Sequence, residues 1–166
     1  MNYKKYLLIG IPILFIAGAF FHYIYEWSDN NFFISLISPV NESIWEHLKL
    51  ALLPTVLYWS IYPLFNANIN KNKWTFSLFI SLISSMLTII CFYYTYTGAL
   101  DIELLILDMF SLLLGLSVGQ IVGIHYYQYG YTIPKYISII LILVLFIIFA
   151  LFTIYPPKLP IFQSPI

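Results

Sequence analysis

Apolar stretches long enough to cross a lipid bilayer recur five times along this chain, with only short polar segments between them. Each needs roughly 20 residues at about 1.5 Å of rise per residue. Hydrocarbon offers no water to backbone N–H and C=O groups, so such a stretch must satisfy them internally, as a helix does. The expected fold is therefore all-α: a polytopic membrane helical bundle of about five transmembrane helices, over residues 6–27, 44–65, 74–96, 101–127 and 133–155. An interfacial connector at 28–43 completes a single domain, 1–166. Charged residues make up 8% of the sequence, against about a quarter in soluble globular proteins. Zero net charge gives nucleic acid no electrostatic footprint, so no nucleic-acid partner is expected. The single Cys91, inside an apolar run, has no intrachain disulfide partner.

Lys4, Lys5 and the small residues Ala17-Gly18-Ala19 have the layout of a cleavable leader, but the apolar run continues through Phe20, Phe21, Tyr23 and Ile24. It is expected to remain as the first span. With the N-terminus in the cytoplasm, Lys4, Lys5, Lys71, Lys73 and Lys135 all fall on the inner side, leaving only Lys49 and Lys158 on the other. That is the distribution the positive-inside rule favours. It also gathers Glu26, Asp29, Glu42, Glu46, Asp101, Glu103 and Asp108 in the outer half. The expected location is the cell membrane, multipass, with the N-terminus cytoplasmic.

Few ionisable residues interrupt the apolar runs, and Glu42, Glu46, His47 and Lys49 stand together between Pro39 and Lys49. Ser38 followed by Pro39 reads as a helix start. A helix from there sets Glu42, Glu46 and Lys49 on one face, with His47 about 100° away from Glu46 and assigned to the interface. His22 and Glu26 share a face of the first span, and Asp108 shares a stripe of the fourth with Ser111 and Gly115. Counted from the helix ends, His22, Glu46, Lys49 and Asp108 lie at a common depth, roughly 6 to 10 Å below the outer rim. Charges in a bilayer face each other or water and are functional candidates.

The expectation is a pocket in which Glu46, His22, Glu42, Asp108 and Lys49 do the chemistry, with Lys49 in reach of Asp108. One imidazole and several carboxylates, namely His22, Glu26, Glu46 and Asp108, suit a divalent metal such as Zn, Mn or Fe. Without metal, Glu46 with His47 or His22 would serve as acid and base, His47 being the weaker partner for that face. Ser111, Gly115, Gly119 and Gly123, at four-residue steps, form a small-residue face that admits another helix and offers a route to an oligomer. Tyr93, Tyr94 and Tyr96 read as an interfacial belt at the end of the third span, and His125 belongs with the tyrosines around it.

The segments F-H-Y-I-Y-E-W, from Phe21 to Trp27, and P-V-N-E-S-I-W-E-H-L-K, from Pro39 to Lys49, together with the size and number of spans, resemble a group of small bacterial multipass membrane proteins of unknown function. That resemblance implies no activity. The residues themselves point to an extracytoplasmic-facing acidic site, with a hydrolase acting on a lipid or lipid-linked substrate as the preferred reading. The excess of outer carboxylates equally suits a binder or transporter of a cation or small amine. A structural or assembly subunit of a membrane complex, its ion pairs serving packing, is the third class. The bilayer, and a lipid or small-molecule ligand, are the expected partners.

Overall fold

The computed structural model describes residues 2–164, and every regular element among them is helical. Helix α1 spans Tyr3–Trp27, and a single turn, α2, covers Phe32–Ser35. A second short turn, α3 (Ile44–His47), runs through Leu48 into α4 (Lys49–Phe65). The longest helix, α5, spans Lys71–Leu100, followed by α6 at Leu105–Tyr129 and α7 at Lys135–Ile154. A 3-10 turn, Pro160–Phe162, ends the described chain. Among the described residues five helices are long and apolar enough to cross a membrane, counting α3 and α4 as one from Ile44 to Phe65.

The second long helix does not begin where Ser38-Pro39 suggested. The Ser38 hydroxyl donates to the Phe21 carbonyl oxygen, 2.6 Å away, and so caps nothing. Ser43 is the cap instead: its side chain accepts from the Glu46 backbone N–H. Residues 39–43 therefore form an irregular loop ahead of the helix. That takes Glu42 off the helical face it was expected to share with Glu46 and Lys49. Pro54 and Pro63 lie within α4, which continues through both.

Helices α5 and α6 form the tightest pair, and the small-residue stripe of α6 is what brings them together. Ser111, Gly115, Gly119 and Gly123 are all buried. A Cβ placed on Gly119 would stand 2.6 Å from the Ser81 carbonyl oxygen and also collide with the Ser85 hydroxyl. Gly115, Gly119 and Gly123 thus lie against α5 and Trp59 of the same chain. Below this seam Trp59 donates from its indole nitrogen to Gln120 Oε1 (3.1 Å), while the Trp74 indole donates to the Trp59 carbonyl (3.0 Å). These bonds satisfy the polar groups of three large side chains that are almost entirely buried.

The tyrosine belt is also rearranged. Helix α5 ends at Asp101, whose left-handed backbone (φ 53°) closes the last turn by donating to the Thr97 carbonyl. The short link 101–104 then folds back. Tyr93 and Tyr96 turn inward, donating to Glu103 and Asp108 respectively, each at 2.5 Å. Tyr94 alone of the three stays exposed.

Substituting Gly119 by alanine should destabilise the protein by about 1–3 kcal/mol, since backbone must yield. Gly98→Ala, where a Cβ meets nothing within 4 Å, should be neutral or slightly stabilising. Thermal unfolding of both variants in detergent checks the contrast.

Candidate metal centre

Three side chains from three different segments converge at one end of the bundle. His22 comes from the penultimate turn of α1, Glu42 from the loop before α3, and His47 from the end of α3. His22 Nε2 and His47 Nε2 are 3.1 Å apart, and Glu42 Oε2 lies 3.6 Å from the first and 3.3 Å from the second. The imidazole rings stack at 5.2 Å with an interplanar angle of 22°. A neutral imidazole with its proton on Nδ1 presents a lone pair at Nε2, so this cluster offers two nitrogen donors and one anionic oxygen on one triangle.

The size of that triangle tests which ion it fits. A point about 2.05 Å from all three atoms, the usual zinc distance, lies about 0.7 Å out of their plane. A tetrahedral centre stands one third of its bond length, about 0.7 Å, above the plane of three of its ligands. An octahedral centre on a facial triad stands further out, at about 1.2 Å for the same bond length. The spacing therefore fits a four-coordinate zinc, and two imidazoles with one carboxylate are a donor set that zinc takes. Three protein ligands would leave a zinc's fourth position to water or substrate, the pattern of catalytic rather than structural zinc sites.

All three residues line a cavity of about 360 Å³. Asp108, from the first turn of α6, and Ser111 line it too. Asp108 is not one of the three converging donors; its carboxylate is held by the Tyr96 hydroxyl beside them. Glu42 is the most water-accessible of the three, with 62% of its side chain exposed, against 30% and 23% for His22 and His47.

The model of a family of unknown function, DUF6512, matches residues 1–166. The chain belongs to DUF6512. No curated protein and no solved structure matches it.

In this DUF6512 chain two of the expected site residues serve another purpose. Lys49 does not reach Asp108. Its ammonium donates to Glu46 Oε2 (2.6 Å), the Ser35 carbonyl (2.7 Å) and the Ser38 carbonyl (3.3 Å), which uses all three of its protons. Glu46 is equally occupied: Oε2 also accepts from the Val40 N–H, and Oε1 accepts from the Thr153 hydroxyl of α7. Both side chains are almost wholly buried, with 1% and 3% exposed. Three of the carboxylate's about four lone-pair sites are taken, and neither Glu46 nor Lys49 lines the cavity. Their bonds fix residues 35–40, the connector that delivers Glu42, and they act as positioning residues.

Glu26 lies exposed at the end of α1, outside the three-donor cluster. The expected metal set His22, Glu26, Glu46 and Asp108 thus gives way to His22, Glu42 and His47. Helical spacing alone makes His47 the weaker partner for the face that carries Glu46. In the structure the two diverge, Glu46 towards α7 and His47 towards α1. His125 is exposed beside Tyr129, ring centroids 4.9 Å apart, away from the cluster.

Lys49→Met should cost about 3–5 kcal/mol by stranding a buried carboxylate, and adding Glu46→Gln should recover part of it. Lys49→Met combined with Asp108→Asn should be additive. A double-mutant cycle on thermal stability in detergent distinguishes the two pairings.

Proposed function

We propose that the chain is a multipass cell-membrane protein and a zinc-dependent hydrolase acting on a membrane-borne substrate, with His22, Glu42 and His47 as the zinc ligands. The observation that carries this reading is the spacing of the three donor atoms, 3.1, 3.3 and 3.6 Å. Zinc so held would polarise a bound carbonyl or phosphoryl oxygen and would bring the pKa of a bound water to about 7.

The chain's own residues supply the rest. The two imidazoles hold the ion, and Glu42 offsets half of its charge. Asp108, on the same cavity wall, takes the proton of the attacking water as the water's oxygen bonds to the acyl carbon or phosphorus. It returns that proton to the leaving oxygen as the ester bond breaks, so the carboxylate ends as it began. The Tyr96 hydroxyl keeps Asp108 in place through both transfers. The five long apolar helices support the membrane location, and the lysine distribution supports a cytoplasmic N-terminus with this site on the opposite side.

Purified protein reconstituted with zinc should hold about one ion per chain by mass spectrometry of metals, falling to near zero in His22→Ala and in His47→Ala. Asp108→Asn should keep the zinc while hydrolysis of a panel of fluorogenic acyl and phosphoryl esters falls by about 10²–10⁴. Wild-type protein that leaves reconstitution without zinc sinks the reading, and zinc retained with no hydrolysis favours a cation binder. For the orientation, a C-terminal alkaline phosphatase fusion should be active and a C-terminal fluorescent protein dark.

A further inference from the structure

The cavity that carries the candidate zinc ligands is polarised along its length. At one end stand His22, Glu42, His47 and Asp108; at the other, Phe15, Ala19, Leu50 and Leu112. From His22 to Phe15 is seven residues of α1, about 10 Å along its axis. The floor is tight, because Gly18 lets α1 lie against α4 and α6: a Cβ there would be 3.1 Å from the Leu50 carbonyl oxygen and 3.2 Å from Leu112 Cδ2.

The mouth is not only aqueous. Three residues lining the cavity are themselves exposed and largely apolar: Tyr23 of α1, and Leu105 and Met109 of α6. They leave the cavity open sideways between the outer ends of these two helices. Tyr23 also belongs to an exposed aromatic group with Trp27 and Phe20, the ring centroids being 6.0 Å and 5.0 Å from that of Trp27. Such a group at the end of an apolar helix marks the headgroup level of a bilayer. The side opening is thus at headgroup height, while the apolar floor lies deeper, towards the midplane. The cavity repeats the polarity profile of the leaflet beside it.

We propose that the substrate of the His22–Glu42–His47 centre is a single-chain amphiphile, or one chain of a larger lipid, that slides in from the bilayer between α1 and α6. Its apolar chain lies on Phe15, Ala19 and Leu112, and its hydrolysable ester stops at the zinc ligands. This rests on the reading of the centre as a zinc hydrolase, and it fixes the class of molecule that centre receives. A volume of about 360 Å³ is near the lower end for small-ligand sites, roughly 300–1,000 Å³, and leaves any second chain outside in the bilayer. A water-soluble substrate entering over Glu42 would have no use for the apolar floor or the side opening.

The test uses the full chain in zinc-loaded proteoliposomes and one probe, octanoyl hydroxamate with a diazirine near the tail. The hydroxamate is a metal-seeking head, and photolysis followed by peptide mass spectrometry reports where the tail lies. The expected result is labelling of the floor at Phe15, Ala19 or Leu112. In Ala19→Phe, which fills the floor, that labelling should drop at least about tenfold, because burial of each methylene contributes about fourfold in affinity. Zinc content should be unchanged, which also shows that the variant is folded. Met109→Trp, an exposed change at the mouth, should reduce floor labelling as well and does not depend on tolerance of a filled core.

Labelling confined to the outward-facing Ile13, Ile16 and Phe20, with the same yield in both variants, overturns the proposal while leaving the zinc centre standing. Floor labelling that persists at full strength in protein shown to bind no zinc has the opposite meaning: the chain site holds and the metal reading falls.

Discussion

The buried pair of Lys49 and Glu46 is the interaction on which the cavity end of this molecule depends. An unpaired charge in such a place costs several kcal/mol, and the mutual attraction of two charges offsets their desolvation only when the remaining lone pairs and protons are also bonded. Here they are. The ammonium has three acceptors, and the carboxylate has three donors, from the connector, from α4 and from α7. The pair thereby gives fixed positions to a connector with almost no regular structure of its own. Glu42 is two residues beyond Val40, the last point at which this network holds the backbone. The one candidate ligand not carried by a helix is therefore supported by charges that lie outside the three-donor cluster.

A second constraint is the divergence of adjacent residues on one turn of helix. Glu46 and His47 differ by about 100° in direction, enough to send one towards α7 and the other towards α1. Structural and chemical duties are divided between neighbours in sequence. A shift of the start of this helix by one residue would turn one of the two into the other's direction and carry the other away from both.

The architecture was legible because bilayer-length apolar runs leave a chain little choice: five such helices are present. The close-packing role of the Ser111–Gly123 stripe was legible too, although spacing alone does not say whether its partner is another chain or, as here, α5. His22, Glu42 and Asp108 do line one cavity, and the rule that charges avoid lipid was enough to bring them together. The identity of the third donor was not legible. Ser38-Pro39 and Ser43-x-x-Glu46 are both plausible helix starts, and the capping-box pattern of the second was the signal that distinguishes them. Choosing the first put Glu42 on the helix and made Glu46 its inward partner. Which of Glu46 and His47 faces α1 depends on how three helices are arranged around them, and local periodicity carries no such information. The inward turn of Tyr93 and Tyr96 was hidden for the same reason, since it follows from how the 101–104 link returns Glu103 and Asp108 to α5.

The bond from Thr153 to Glu46 joins residues 107 positions apart. A chain is made from its N-terminus, at about 5–20 residues per second. For several seconds of synthesis, then, Lys49 and Glu46 exist without the helix that completes their shell, while α1 to α6 have already emerged. The cavity end is assembled in order: α7 arrives last and supplies the final donor to the carboxylate. A protein cut short before Thr153 would carry every candidate zinc ligand and still lack the part that holds the loop under one of them.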